Sequence, residues 1–184
     1  MRIFLLDYDT KYANAVVSNE NDALKLSFDG ISCINSWEEV KIKSPFKSRK
    51  IADFMYYTQE TIIASQKAVK ELYPLIGPYV EALPLQCDWG EYYALNVLAL
   101  LDCIDYSASD YIPFGDKKMA AGVPKVLTIT KHVFYGDRIR NIPIFKNVHR
   151  PRMPIYVNDD FVDLVVKLKL KGLKFEPVWE GNGR

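Results

Sequence analysis

The sequence predicts an α+β fold: a single domain over residues 1–184, with a mostly antiparallel sheet and two main helices packed on one face. Three observations carry this. Short apolar runs recur from residue 3 to residue 178 and end at Gly, Pro, Asn or Asp, as strands and their turns do. Only two segments, 65–76 and 159–171, carry the three-and-four spacing of an amphipathic helix. Each of these has a single apolar stripe, so each covers one sheet face.

The totals bound the chain. With 184 residues, 49% hydrophobic and 26% charged, it can bury a core without metals or disulfides as staples. Residues 1–50 read as a less regular N-terminal extension with short strands. A net charge of +1 gives no long-range field toward nucleic acid or an anionic membrane. Cys33, Cys87 and Cys103 are widely spaced with no C-x-x-C pair, which fits a reducing compartment and neither a disulfide framework nor structural zinc. Residues 1–6 run into Asp7 and Asp9 without forming a leader's apolar region. The longest apolar run, 94–104, contains Asn96 and Asp102 and is about half the roughly 20 residues of a membrane helix. The expectation is a cytoplasmic protein with no membrane contact and no cofactor.

Taken in order, residues 3–6 form a first strand and 8–20 a loop or irregular turn. Residues 23–28 alternate Leu24, Leu26 and Phe28 with Lys25 and Ser27, the period of a half-buried strand, and Asp29-Gly30 turns the chain. Trp37, Val40 and Ile42 alternate with lysines as an edge strand. Residues 53–57 and 61–64 are strand or turn segments leading to the first helix. Ser65 caps that helix, Pro74 bends or ends it, and Gly77-Pro78 terminates it. Residues 79–87 form a strand that Pro84 interrupts or places at an edge. Asp88-Trp89-Gly90 is a turn and 92–97 the returning strand, so 79–97 is a hairpin.

Residues 98–104 leave helix and strand both open. Residues 112–124 read as a loop, 126–130 as a strand, 142–145 and 155–157 as two more, and 147–152 as a loop carrying His149. Asn158 caps the second helix, with Asp159 and Asp160 in its first turn and Gly172 as the residue that ends it. Residues 173–178 are the last strand and 180–184 a frayed tail.

Candidate chemistry is sparse. His132 and His149 have no metal-ligand spacing, and Cys103 reads as a buried small hydrophobe. No nucleophile elbow, phosphate loop or dinucleotide fingerprint is present. The one clustered polar set is Asp102, Asp105 and Ser107, with Ser109 and Asp110. It reads either as two carboxylates sharing a cleft for acid–base work or as a turn whose aspartates bond backbone amides; the turn is favoured. Two basic runs stand out. Lys43, Lys47, Arg49 and Lys50 read as a solvated loop, since no aromatic or glycine pattern accompanies them. Arg138, Arg140, Lys146, Arg150 and Arg152 have the composition of a nucleic-acid patch. Their alternation also fits a strand with an exposed basic face, solvated or protein-binding, and that reading makes nucleic acid the lesser alternative.

The order of motifs adds a resemblance. The helix and strand at 63–76 lead to Leu83-Pro84-Leu85, then YYALNV and LLDCIDYSAS within 92–109, PIFK at 143–146, IYVNDDF at 155–161 and GLKFEPV at 172–178. This succession, over about 37–179, resembles the "immunity protein eleven" family of bacterial polymorphic-toxin systems, formerly a domain of unknown function. The resemblance implies a protein encoded beside a toxin that binds and blocks it, with no catalytic residues. The partner is then the cognate toxin, and a homo-oligomer stays open. Interfaces favour Trp and Arg anchors, which makes Trp89, Arg138, Arg140 and Arg150 the expected contacts. The remaining alternative is a small hydrolase using Asp102, Asp105 and Ser107.

Overall fold

The computed structural model describes residues 1–45, 48–118 and 123–181. The elements in order are β1 (Arg2–Tyr8), β2 (Val16–Val17), β3 (Val40–Lys43), β4 (Phe54–Thr58), β5 (Thr61–Ser65), α1 (Gln66–Ile76), β6 (Val80–Gln86), β7 (Tyr92–Val97), β8 (Leu100–Leu101), β9 (Asp110–Lys118), β10 (Pro124–Lys131), α2 (Gly136–Ile139), β11 (Ile144–Asn147), β12 (Tyr156–Asn158), α3 (Asp159–Lys167) and β13 (Leu173–Glu180). The content is mixed α/β and mostly sheet.

The strands expected in one sheet are divided among three. A six-stranded sheet runs β2-β3-β6-β7-β5-β4, a five-stranded sheet runs β13-β1-β12-β11-β8, and β9 and β10 form a separate hairpin. Among the described strands, all pairings are antiparallel except β3–β6 and β8–β11. The division follows from burial. On β1, Ile3 and Phe4 face different cores, and on β11 and β12 the same holds for Ile144 against Phe145 and Val157 against Tyr156. A strand covered on both faces reads as an unbroken apolar run, so its sequence does not say which sheet owns it.

Three cores result. The first lies between the two larger sheets and takes Phe4, Phe54, Ile62, Leu95, Val157 and the apolar stripes of both long helices, including Leu72, Ile76, Phe161 and Val165. Helix α1 packs on β5 and β7, α3 on β1 and β12, and the two helices touch. They therefore serve two sheets rather than one face of a single sheet. The second core covers the far side of the six-stranded sheet, where Met55, Ile63 and Ala94 meet Ala13, Ala15, Leu26 and Phe28. The third covers the far side of the five-stranded sheet and joins Ile3, Phe145 and Tyr156 to Val126, Ile129, Phe134 and Ile139.

Both helix starts follow the sequence. Ser65 Oγ accepts from the Ala68 amide at 3.2 Å, and Asn158 Oδ1 from the Phe161 amide at 3.1 Å. The second helix ends earlier than expected. Leu168 is its C-cap and Lys169 takes the left-handed φ of 53°, while the amides of Lys169 and Leu170 bond back to Val166 and Val165. That is a Schellman turn with lysine in the position glycine favours. Gly172 has a different task. Its φ is 110°, and a Cβ there would lie 2.0 Å from the Phe54 carbonyl oxygen, so the glycine lets two backbones cross.

Other expectations change. Residues 20–26 form a 3-10 helix capped by Asn19, not a strand over 23–28; Leu26 is buried and Leu24 is exposed. Asn19 offers its side-chain oxygen to the Asn21 amide, and this local bond outcompetes strand pairing. Residues 112–118 belong to β9 rather than a loop, because their backbone pairs with β10. The strand expected at 142–145 begins two residues later. Of the first basic run, Lys47 lies outside the described residues.

Candidate functional site

Strand β7 is central in the six-stranded sheet, and the chain leaves it through β8 into the only polar cluster the sequence singled out. Cys103 and Ile104 are buried there, and Ile104 bridges to Phe134. The turn that follows is closed by Asp105. Its Oδ1 accepts from the Ser107 amide at 2.9 Å, the Ser107 hydroxyl at 2.5 Å and the Ala108 amide at 3.3 Å. These donors, the Ser107 hydroxyl first, hold the Asp105 carboxyl below the usual carboxylate range.

Asp102 works outward. Its two carboxylate oxygens accept from Arg138 Nη1 at 2.8 Å and His149 Nε2 at 2.9 Å, and Arg138 Nη1 also donates to the Asp102 carbonyl at 2.6 Å. One aspartate thus ties α2 and the turn after β11 to the same point. Arg138 also lies 4.5 Å from the Tyr135 ring centroid. Tyr106 stands edge-on to His149 and accepts from Asn147 Nδ2 at 2.7 Å, while Asn147 Oδ1 accepts from the His149 amide at 3.0 Å. Exposed ion pairs of this kind contribute at most about 1 kcal/mol, so their effect is to position side chains.

Two clefts flank His149. One, of about 360 Å³, is lined by Asp102, Asp105, Ser107, Tyr135 and Arg138, among others. The other, of about 250 Å³, runs between β10 and the 149–153 turn and is lined by Lys125, Arg150 and Arg152, among others. The first cleft does gather the Asp/Ser cluster. Its hydrogen bonds nevertheless fall into two sets, since the Ser107 hydroxyl is given to Asp105 and the His149 imidazole to Asp102. The geometry is that of a closed turn beside an ion-pair cluster, without a hydroxyl–imidazole relay.

The expected contact residues separate. Arg138 and Arg150 flank His149, and Arg150 Nη2 donates to the Leu127 carbonyl at 2.8 Å. Arg140 is exposed at the end of α2. Trp89 lies on the hairpin turn of the other sheet, half-buried and edge-on to Tyr92. The second basic run is not one exposed strand face: Lys146 is fully buried and donates to the Phe28 carbonyl at 3.1 Å. Sequence reasoning missed His149, Tyr106 and Tyr135. His149 lies 47 residues from Asp102, beyond any local spacing rule. Among the described residues no group of His, Cys, Asp and Glu converges as a metal site would, and no helix is long and apolar enough to cross a membrane.

Fold and surface together define a mostly-sheet α/β protein with an ionic and aromatic surface organised around Asp102 and His149. Residues 88–180, half of the chain and all of that surface, match the model of the Immunity protein family (Imm11), and the chain belongs to this family. The matched span begins after the strand–helix–strand portion that the motif order also included. No curated protein matches the chain.

Proposed function

We propose that the chain is a cytoplasmic immunity protein that neutralises a cognate bacterial toxin by stoichiometric binding, covering the toxin's working site, with residues 1–184 acting as one unit. The observation that supports this best is the coincidence of the family match with the organised surface: Asp102, Arg138, Arg140, His149 and Arg150 all fall within the matched residues. A stable interface needs roughly 800 Å² on each partner, anchored by aromatic and arginine side chains. Arg138, Arg140 and Arg150, with Tyr106 and Tyr135, are the anchors in this reading. Trp89 joins them only for a partner large enough to reach the second sheet. Binding is preferred to hydrolysis because Asp105 and Ser107 are occupied in closing a turn.

Co-expression with the toxin encoded beside this chain is the test. The expected result is restored growth and a complex of defined stoichiometry by size-exclusion chromatography with light scattering. Cell death despite expression, with no complex formed, overturns the reading.

A further inference from the structure

Among the described residues, the β9–β10 hairpin pairs with neither larger sheet. Its inner face buries Val126 and Ile129 in the third core. On β9, Ile112 and Phe114 share the opposite face and are 49% and 54% exposed, and Leu127, at the irregular step of β10, is 55% exposed. Single exposed apolar residues are ordinary, but three on one two-stranded hairpin mark an interaction surface.

Cations outnumber carboxylates around this patch: Lys125 and Lys131 are exposed on β10, against Asp110 at the start of β9 among the described side chains of the hairpin. Lys125 Nζ sits 4.7 Å from the Phe114 ring centroid. The cleft along β10 is lined by Lys125, His149, Arg150 and Arg152 together with apolar residues; Asp29 pairs with Arg152 at 3.8 Å and Asp102 with His149 at 2.9 Å. Residues 100–153 carry nine Lys and Arg against five Asp and Glu, a net +4 in a chain whose total is +1, so the rest carries −3. With the buried Lys146 set aside, eight cations against five carboxylates leave +3, so the neutral total conceals a basic excess on this part of the surface. An apolar centre rimmed by cations is complementary to an apolar centre rimmed by carboxylates.

We propose that the outer face of the β9–β10 hairpin, with the cleft between β10 and the 149–153 turn, docks the toxin, and that the matching toxin surface is acidic around an apolar centre. This rests on the toxin-binding reading above. Ile112 and Phe114 are the anchors that docking buries, and a partner carboxylate enters the cleft beside Lys125 and Arg150, while Arg152 stays paired with Asp29. The proposal also limits what is covered. A basic inhibitor face is repelled by the basic groove with which a nuclease holds phosphates, so the toxin region contacted here is not such a groove.

The test uses the full chain and the toxin domain encoded beside it, with binding followed by biolayer interferometry. Ile112→Ser with Phe114→Ser is expected to weaken binding on the order of 100-fold, as loss of central anchors does. Lys125→Glu with Lys131→Glu is expected to slow association on the order of 10-fold at low salt, a deficit that shrinks as salt rises. Thermal midpoints matching the wild type establish that the variants are folded. If the serine pair lowers the midpoint, the charge-reversal pair decides, since both lysines are exposed. Wild-type affinity and association rate in both double variants overturn the docking face and leave toxin binding standing. A wild type that does not bind overturns both. Salt-sensitive binding of short duplex DNA or single-stranded RNA, lost in the charge-reversal pair, reassigns the face to nucleic acid and also overturns the proposal.

Discussion

Lys146 should make the stability of this protein depend on alkaline pH. The side chain is fully buried on β11, and its ammonium donates to the carbonyl of Phe28 in the segment that covers the other sheet. Burial lowers its pKa from 10.5 to about 8, against weaker opposing effects of Glu60 and Asp29. The folded value is below the unfolded one, so between about pH 8 and 10.5 the unfolded chain holds more protons than the folded chain. Stability from this group therefore rises with pH across that window. The full shift corresponds to roughly 3 kcal/mol at 1.36 kcal/mol per pH unit. About 2 kcal/mol of it falls between pH 7 and 9.5.

Other groups titrate there too. Burial raises the pKa values of Tyr8, Tyr92 and Tyr156, which lowers stability as the unfolded tyrosines ionise near pH 10. The wild type alone would mix these effects, and comparison with Lys146→Met removes them. Urea unfolding of both proteins at pH 7 and 9.5 is the assay. The wild type should gain about 2 kcal/mol on the variant between the two pH values. A difference independent of pH would refute the reasoning, because a solvated ammonium contributes no such slope.

Three further predictions concern groups with different physics. His132 is buried against Phe134 and Tyr156, and burial, with Arg150 nearby, lowers its pKa to about 4. It folds neutral, so its contribution should be lost as pH falls from about 6.5 toward 4, and His132→Phe should flatten that part of the urea-midpoint profile. Lys169→Gly should stabilise by about 1 kcal/mol, seen as a rise of roughly 2–4 °C in melting midpoint, because glycine adopts the left-handed turn without strain. Gly172→Ala should destabilise by about 2 kcal/mol or more, or prevent folding, since its Cβ meets the Phe54 carbonyl; circular dichroism melting reads either outcome.

Local signals were the legible ones. The Ser65 and Asn158 caps, the 79–97 hairpin and the Asp105 turn each form within a few residues, where side chain and backbone meet regardless of the rest of the fold. The 3-10 helix at 20–26 shows the limit of such reading. Its alternation mimicked a strand, but the stronger bond was the Asn19 cap, and only Leu26 and Phe28 found a core to enter. Lys146 misled in the same way, since a lysine among arginines looks solvated until a carbonyl 118 residues away is placed above it.

The candidate site divides along the same line. The sequence alone identified Asp102, Asp105 and Ser107 as a cluster and favoured a turn, because the acids and the serine lie within six residues of each other. It also carried the family, whose signature is an order of motifs rather than any one of them. Only the tertiary structure brought Arg138 and His149 to one carboxylate, left Trp89 on another sheet, and gathered Lys125, Arg150 and Arg152 beside an exposed apolar hairpin. The physical reason is range. Caps, turns and periodicity act over a few residues, whereas sheet membership and surface charge are set by pairings such as β1 with β13, which join the two ends of the chain.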